Sequence, residues 1–257
     1  MPHLLYKNAN LYYRDTGEGT VTVFLHGFLE NLNMWSAIAQ VIEKKHRVIS
    51  LDLLGHGKTE NLGYIHSMEE QANMLKFLLD HLEISKCTVI GHSMGGYIAL
   101  AFAELFPEMV EGLCLMNSTA QADTEEKKRN RERGIKAVKQ NHRTFIRIAI
   151  PGLFSEANRS VFTKEIQELT QESLAMTQQG IIASLEGMKN RKDRSYLLKQ
   201  NSLPILMIIG KKDPALDYRN LLEQVKNTKV SSVIFEDGHM SHIENKEALI
   251  KAFEKFL

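Results

Sequence analysis

Short apolar runs alternate with amphipathic stretches along this chain. Residues 21–25, 48–51, 87–90, 113–116, 205–209 and 233–235 are apolar or β-branched and end at Gly, Asp, Asn or Pro, which predicts buried strands. Between them the spacing changes. Met74, Leu75, Leu78, Leu79 and Leu82 recur at intervals of three and four, predicting a helix over 68–82. Ser67 stands before it as an N-cap, with Glu70 three residues on as a capping-box partner. Residues 94–105 and 246–256 also carry a helical pattern. Strands alternating with helices predict an α/β fold, with a mostly parallel sheet covered on both faces.

One region breaks the alternation. Residues 119–198 contain no convincing strand. Within them, 123–147 is dense in charge and leans basic, with Lys127, Lys128, Arg129, Arg131, Arg133, Arg143 and Arg147. Acids at Glu125, Glu126 and Glu132 are interleaved, so a solvated helix face is the expectation rather than an anion or nucleic-acid site. Apolar residues still recur through this region, as at Ile135, Val138, Phe145, Ile146 and Phe154, which predicts a helical insertion folded over the sheet.

Composition narrows the class. A chain of 257 residues, 43% hydrophobic and 25% charged, is ordinary for a globular protein and long enough for one large or two small domains. A net charge of +1 leaves no nucleic-acid footprint over the chain as a whole. The 2 cysteines, Cys87 and Cys114, exclude a disulfide scaffold; both sit in strands and are expected to be buried and inert. The first residues lack a basic segment followed by an apolar one, and no uninterrupted apolar run reaches about 18 residues. The expectation is a cytoplasmic protein without a membrane span, metal or cofactor, acting on a small molecule as a monomer or homodimer.

The sharpest chemical signal is Gly91-His92-Ser93-Met94-Gly95-Gly96, placed after a predicted strand and before a predicted helix. That is the context of a nucleophile elbow, a turn so tight that side chains at its flanks would collide with strand and helix. Ser93 would project at a helix N-terminus, where developing negative charge is favoured. A serine hydroxyl needs a base, and the base needs an anion to fix its tautomer. Among 10 histidines, His239 and His242 lie in the loop after the last strand; His3, His46, His66, His81 and His142 are expected to be superficial or structural. Asp213, Asp217 and Asp237 are the candidate acids.

These segments resemble the α/β-hydrolase fold superfamily over essentially the whole length. The resemblance rests on His26-Gly27-Phe28, the run from Asp52 to Gly57, the elbow, Gly210-Lys211-Lys212-Asp213 and Gly238-His239, in the family's order. It implies a sheet of about eight strands, with a core over 1–118 and 199–257 and a helical cap over 119–198, inserted after the sixth strand. It implies a triad of Ser93, Asp213 and His239. Some relatives carry the acid one strand earlier; that position falls near Asn117, which cannot supply the charge. The N–H groups of Phe28 and Met94 are implied as oxyanion donors, and His26 as an orienter of the Phe28 loop. Where many relatives have an arginine in the loop from Asp52, this chain has Leu54, and His56 is expected to be structural.

A serine at the elbow argues against the dehalogenases and epoxide hydrolases of this fold, which use aspartate. Hydrolysis of an ester, thioester or lactone remains, with C–C hydrolysis, a lyase or synthase reaction, or slow-turnover ligand binding as alternatives. The menaquinone-pathway synthase of this fold carries two arginines, for which Tyr97 and the segment from Ser184 to Met188 stand here. Phe28, Tyr97, Phe145, Phe154 and Met188 are expected to line the substrate pocket, alongside Ile146, Met176 and Ile181.

Overall fold

The computed structural model describes residues 4–200 and 203–257; His3 lies outside them. The chain opens with a hairpin of β1 (Leu4–Tyr6) and β2 (Ala9–Leu11), which pair only with each other. The core then runs β3 (Tyr13–Thr16), β4 (Val21–Leu25), α1 (Ser36–Ile42), β5 (Arg47–Leu51), α2 (Met68–His81), β6 (Cys87–His92), α3 (Met94–Leu105) and β7 (Val110–Met116). Next come α4 (Glu125–Ala149), α5 (Thr163–Ser173) and α6 (Gln178–Lys189). The core resumes with β8 (Ile205–Gly210), α7 (Tyr218–Val225), β9 (Ser231–Phe235), α8 (Ser241–Glu244) and α9 (Lys246–Phe256).

The central sheet has seven strands in the order β3-β5-β4-β6-β7-β8-β9. All neighbours are parallel except the edge pair β3 and β5. It is therefore one strand short of the expected eight or so, and the helical insertion follows its fifth strand in chain order. The N-terminal strands close on themselves as a hairpin instead of extending the sheet.

Two apolar layers flank the sheet. On one face Phe24 stacks on Trp35, with ring centroids 4.7 Å apart, and Phe253 of α9 closes the cluster. Truncating such a buried aromatic costs about 3–5 kcal/mol. The other face buries Leu75, Leu78 and Leu79 of α2 against α3. Strand order reverses on either side of β4, which leaves a crevice outside the carboxyl ends of β4 and β6.

Two local expectations change in the structure. Ser67 does cap α2, accepting from the Glu70 N–H at 3.0 Å. The Glu70 carboxylate, however, does not turn back to Ser67; it takes the Tyr6 hydroxyl and the Lys7 ammonium instead. The helix α4 is broken at Asn141 (φ −160°, ψ 94°), whose side chain accepts from the Thr144 N–H and starts a second segment.

The inserted helices are pinned to the core at several points. The Ser173 hydroxyl donates to the Leu29 carbonyl at 2.6 Å, and the His66 N–H donates to the Ala183 carbonyl at 3.0 Å. A Cβ on Gly187 would stand 1.8 Å from the His66 carbonyl oxygen, so only glycine lets α6 approach this closely. Arg194, buried, bridges Glu69 of α2 and Glu104 of α3. No helix among the described residues is long and apolar enough to cross a membrane.

Candidate active site

Ser93 sits between β6 and α3 with φ 50° and ψ −112°, a backbone conformation that L-residues adopt only under constraint. The glycines of the elbow make this possible. A Cβ on Gly91 would lie 2.3 Å from Gly95, and one on Gly95 2.3 Å from the Leu25 carbonyl oxygen. The turn is fixed by its backbone: the Ser93 N–H donates to the Met116 carbonyl at 2.9 Å, and the Ser118 hydroxyl donates to the Ser93 carbonyl at 2.8 Å. Met94 opens α3, so its N–H has no partner within the helix.

The end of β8 delivers Asp213 and the loop after β9 delivers His239. The His239 Nδ1 lies 2.7 Å from the Asp213 Oδ2, and both residues are buried. Burial alone would raise the Asp213 carboxyl. The charge and hydrogen bond of His239, the Ala215 N–H and the Asn117 amide outweigh it and hold the group below the usual carboxylate range. Asn117 (φ 46°) does more than leave the acid's place empty. Its amide donates to Asp213 Oδ2 at 3.2 Å and to the Gly238 carbonyl at 3.1 Å, and accepts from the Ser241 hydroxyl at 2.6 Å. One side chain thus ties Asp213 to residues on both sides of His239. Asp217 instead caps α7, and Asp237 accepts from Asn158.

The loop after β4 completes the bottom of the crevice. His26 Nδ1 bonds the Gly27 carbonyl at 2.8 Å, and its Nε2 accepts from the Leu53 N–H at 2.9 Å, so it is neutral and bridges two loops. Burial lowers its pKa. The Gly27 N–H donates to Glu30 at 2.7 Å, which fixes the His26–Gly27 peptide, while the His26 ring holds the carbonyl of the next peptide, the one that carries the Phe28 N–H. His56 is buried, with Nδ1 at 3.0 Å from the Leu54 carbonyl, and burial keeps it well below the ordinary histidine value.

Sequence reasoning missed Glu30. It is a fully buried carboxylate, 2.7 Å from Nδ1 of His92, whose Nε2 lies 3.0 Å from the His239 carbonyl. Both nitrogens of His92 therefore face acceptors, and an imidazole serving two acceptors carries two protons. Burial by itself would lower His92, but the charge and hydrogen bond of Glu30 raise it. Burial would likewise raise Glu30, and His92 pulls it down to about 2. This ion pair fastens the loop after β4, the turn between β6 and α3, and the loop after β9 to one another. His242, the other histidine of this loop, lies behind it with Nε2 at 3.8 Å from Glu30; burial lowers it to about 4. Glu30, His92 and His242 bring ligand atoms within 4.8 Å of one another, but a doubly protonated His92 has no lone pair for a metal. The only sequence signal for Glu30 was an acid between Leu29 and Asn31 in the loop after a predicted strand. Glu244 was missed too: it accepts from the Gly238, Met240 and Ser155 N–H groups, holding the base loop against the inserted segment.

Ser93 and His239 open into a cavity of about 360 Å³ between the sheet and the inserted helices. Phe28, Tyr97, Phe145 and Met188 line it, as do Leu185, Ala149 and Leu153. Phe154 does not. It is fully buried behind the wall, against Phe162, because the short turn at Pro151–Leu153 turns its side chain away and presents Leu153 instead. Ile146, Met176 and Ile181 are also buried in the packing rather than in the lining. Both cysteines are buried, and burial pushes the Cys87 thiol up to about 12.

The fold recurs among known proteins. The family model of the alpha/beta hydrolase fold matches residues 21–246. Three uncharacterised mycobacterial proteins share 32% identity over 120 residues, and the match spans only 35% of their length. A 3-oxoadipate enol-lactonase of Acinetobacter baylyi is 28% identical over 240 residues, covering 90% of this chain and 86% of its own. The malate-bound thermophilic esterase of Thermogutta terrifontis superposes with a TM-score of 0.88 at 29% identity, covering 96% and 93% of the two chains. With the fold, the elbow and the family match in agreement, this chain belongs to the α/β-hydrolase fold family.

Proposed function

We propose that this protein is a serine hydrolase cleaving a carboxylic ester, thioester or lactone of small to medium size through an acyl-enzyme. The observation that carries the reading is the buried Asp213–His239 pair, bonded at 2.7 Å and opening into the same cavity as the strained Ser93. Asp213 holds the proton on Nδ1 of His239, which leaves Nε2 as the acceptor. Ser93 gives its proton to that nitrogen as its Oγ attacks the carbonyl carbon. The tetrahedral oxyanion is received by the N–H groups of Phe28 and Met94. His239 then protonates the leaving oxygen or sulfur, and the carbonyl reforms as an acyl-serine. Water, deprotonated by His239, attacks next; the acid leaves and Ser93 recovers its proton. Each step uses side chains, backbone N–H groups and water. The helices over 119–198 act as the cap that excludes bulk solvent and bounds the acyl group.

A fluorophosphonate probe tests the reading. Wild type is labelled and Ser93→Ala is not, and kcat on a p-nitrophenyl ester falls by about 10³-fold or more in the variant. Wild type that resists labelling would move the chain to the ligand-binding alternative; labelling that persists in Ser93→Ala would remove the serine mechanism.

A further inference from the structure

We propose that the substrate of this site carries a carboxylate, received by Lys127, Asn130 and Arg131 of α4; this rests on the serine-hydrolase reading above. The basic run of the insertion is not simply a solvated face. Lys127, Asn130, Arg131 and Gly134 fall at i, i+3, i+4 and i+7 of one helix, and all four line the cavity that holds Ser93 and His239. Two of the three interleaved acids are engaged elsewhere: Glu125 pairs with Lys128, and Glu132 with Lys189; the third, Glu126, is exposed and does not line the cavity.

The charge at this wall is not neutralised locally. The buried Asp123 accepts from Arg131 Nε through one oxygen and from Arg191 Nη1 through the other. One carboxylate thus faces two guanidiniums, and Lys127 adds a further cation with no carboxylate within ion-pair distance among the described residues. Arg131 keeps its two Nη groups free of Asp123. Asn130 has its carbonyl oxygen taken by Arg133, so its amide NH₂ is the group left to donate. None of the described residues lining the cavity is acidic, and the rest of its wall is largely apolar. Half-buried cations facing a partly open, mostly apolar cavity favour an anionic partner, since a neutral ligand there would displace some of their water and return little.

Two pairs of esters with isosteric neutral counterparts test this. Monoethyl succinate is compared with ethyl 4-methylpentanoate, placing the anion on the acyl side. 3-Acetoxypropanoate is compared with 3-methylbutyl acetate, placing it on the alcohol side. In at least one pair the anion raises kcat/KM by tenfold or more, chiefly through KM, and the preference shrinks as salt is raised. Lys127→Met cuts that ratio at least fivefold, whereas Lys127→Arg keeps it. Equal or better turnover of both neutral esters overturns the proposal while leaving the hydrolase reading intact. A preference indifferent to Lys127→Met overturns the assignment to this wall. Failure of fluorophosphonate labelling in wild type is the separate result that removes the hydrolase reading itself.

Discussion

Glu30 and His92 form an ion pair at 2.7 Å, wholly excluded from solvent, one residue before the elbow serine. Removing one member of a buried pair leaves the other as an uncompensated charge, at a cost of about 3–5 kcal/mol. We expect Glu30→Gln to lower Tm by roughly 10 °C in a chain of this size. The double variant with His92→Asn regains part of that loss, because no buried cation remains. Thermal melts of the three variants form the cycle; additive losses would mean that the pair is not coupled.

Asp213→Asn tests the tautomer. The amide can still accept or donate near His239 but no longer stabilises the imidazolium, and kcat falls on the order of 10⁴-fold. Asn117→Ala acts one step further out. It leaves Asp213 charged but removes two donors, so the loss is smaller, about 10–100-fold, and KM hardly moves. Steady-state kinetics on one ester series compares them, and a larger loss for Asn117→Ala than for Asp213→Asn would reverse the assigned roles.

Two glycines separate close packing from mere flexibility. Gly187→Ala places a methyl carbon against the His66 carbonyl and forces α6 away from the core, with a loss of about 2 kcal/mol or more. Gly134→Ala meets only Phe145 at 3.6 Å and Leu185 at 3.7 Å, and should gain about 0.5–1 kcal/mol from helix propensity. Urea denaturation should show opposite signs for the two variants.

Acid should destabilise the protein through its buried histidines. Burial holds His66 and His242 neutral to about 4. The unfolded chain takes up these protons near its ordinary value of about 6.5, so stability present above that pH is lost as pH falls towards 4. Tm measured between pH 7.5 and 4.5 should fall steadily, and His66→Gln should flatten the slope. A flat wild-type profile would contradict the sign.

The core sheet was legible because its central strands are buried on both faces. Residues 21–25, 87–90 and 205–209 read as continuous apolar runs for that reason. The edge strand β3 was not legible: three of its four residues are exposed, so nothing in Tyr13–Thr16 alternates. Ser93, Asp213 and His239 stand in motifs whose backbone demands are local, and the structure brings Asp213 and His239 into contact. Glu30 and Asn117 act through partners more than sixty residues away, a distance that no local pattern encodes. Phe154 was misplaced for a related reason, since helical spacing says that a face is buried but not against what. The Ser67 box failed on its far half because Tyr6 and Lys7 compete for Glu70.

The break at Asn141 divides the roof of the cavity between two short rods. The rod before it carries Lys127, Asn130 and Arg131; the rod after it carries Phe145 and Ala149. A continuous helix would lock these two sets into one rotation, so that any insertion would swing both together. With the ladder already interrupted, a residue gained or lost at 141 would leave the register of each rod intact. The cationic and the apolar parts of the lining are thereby carried on separately registered segments, which makes this joint the place to exchange one panel of the roof for another while keeping its neighbour.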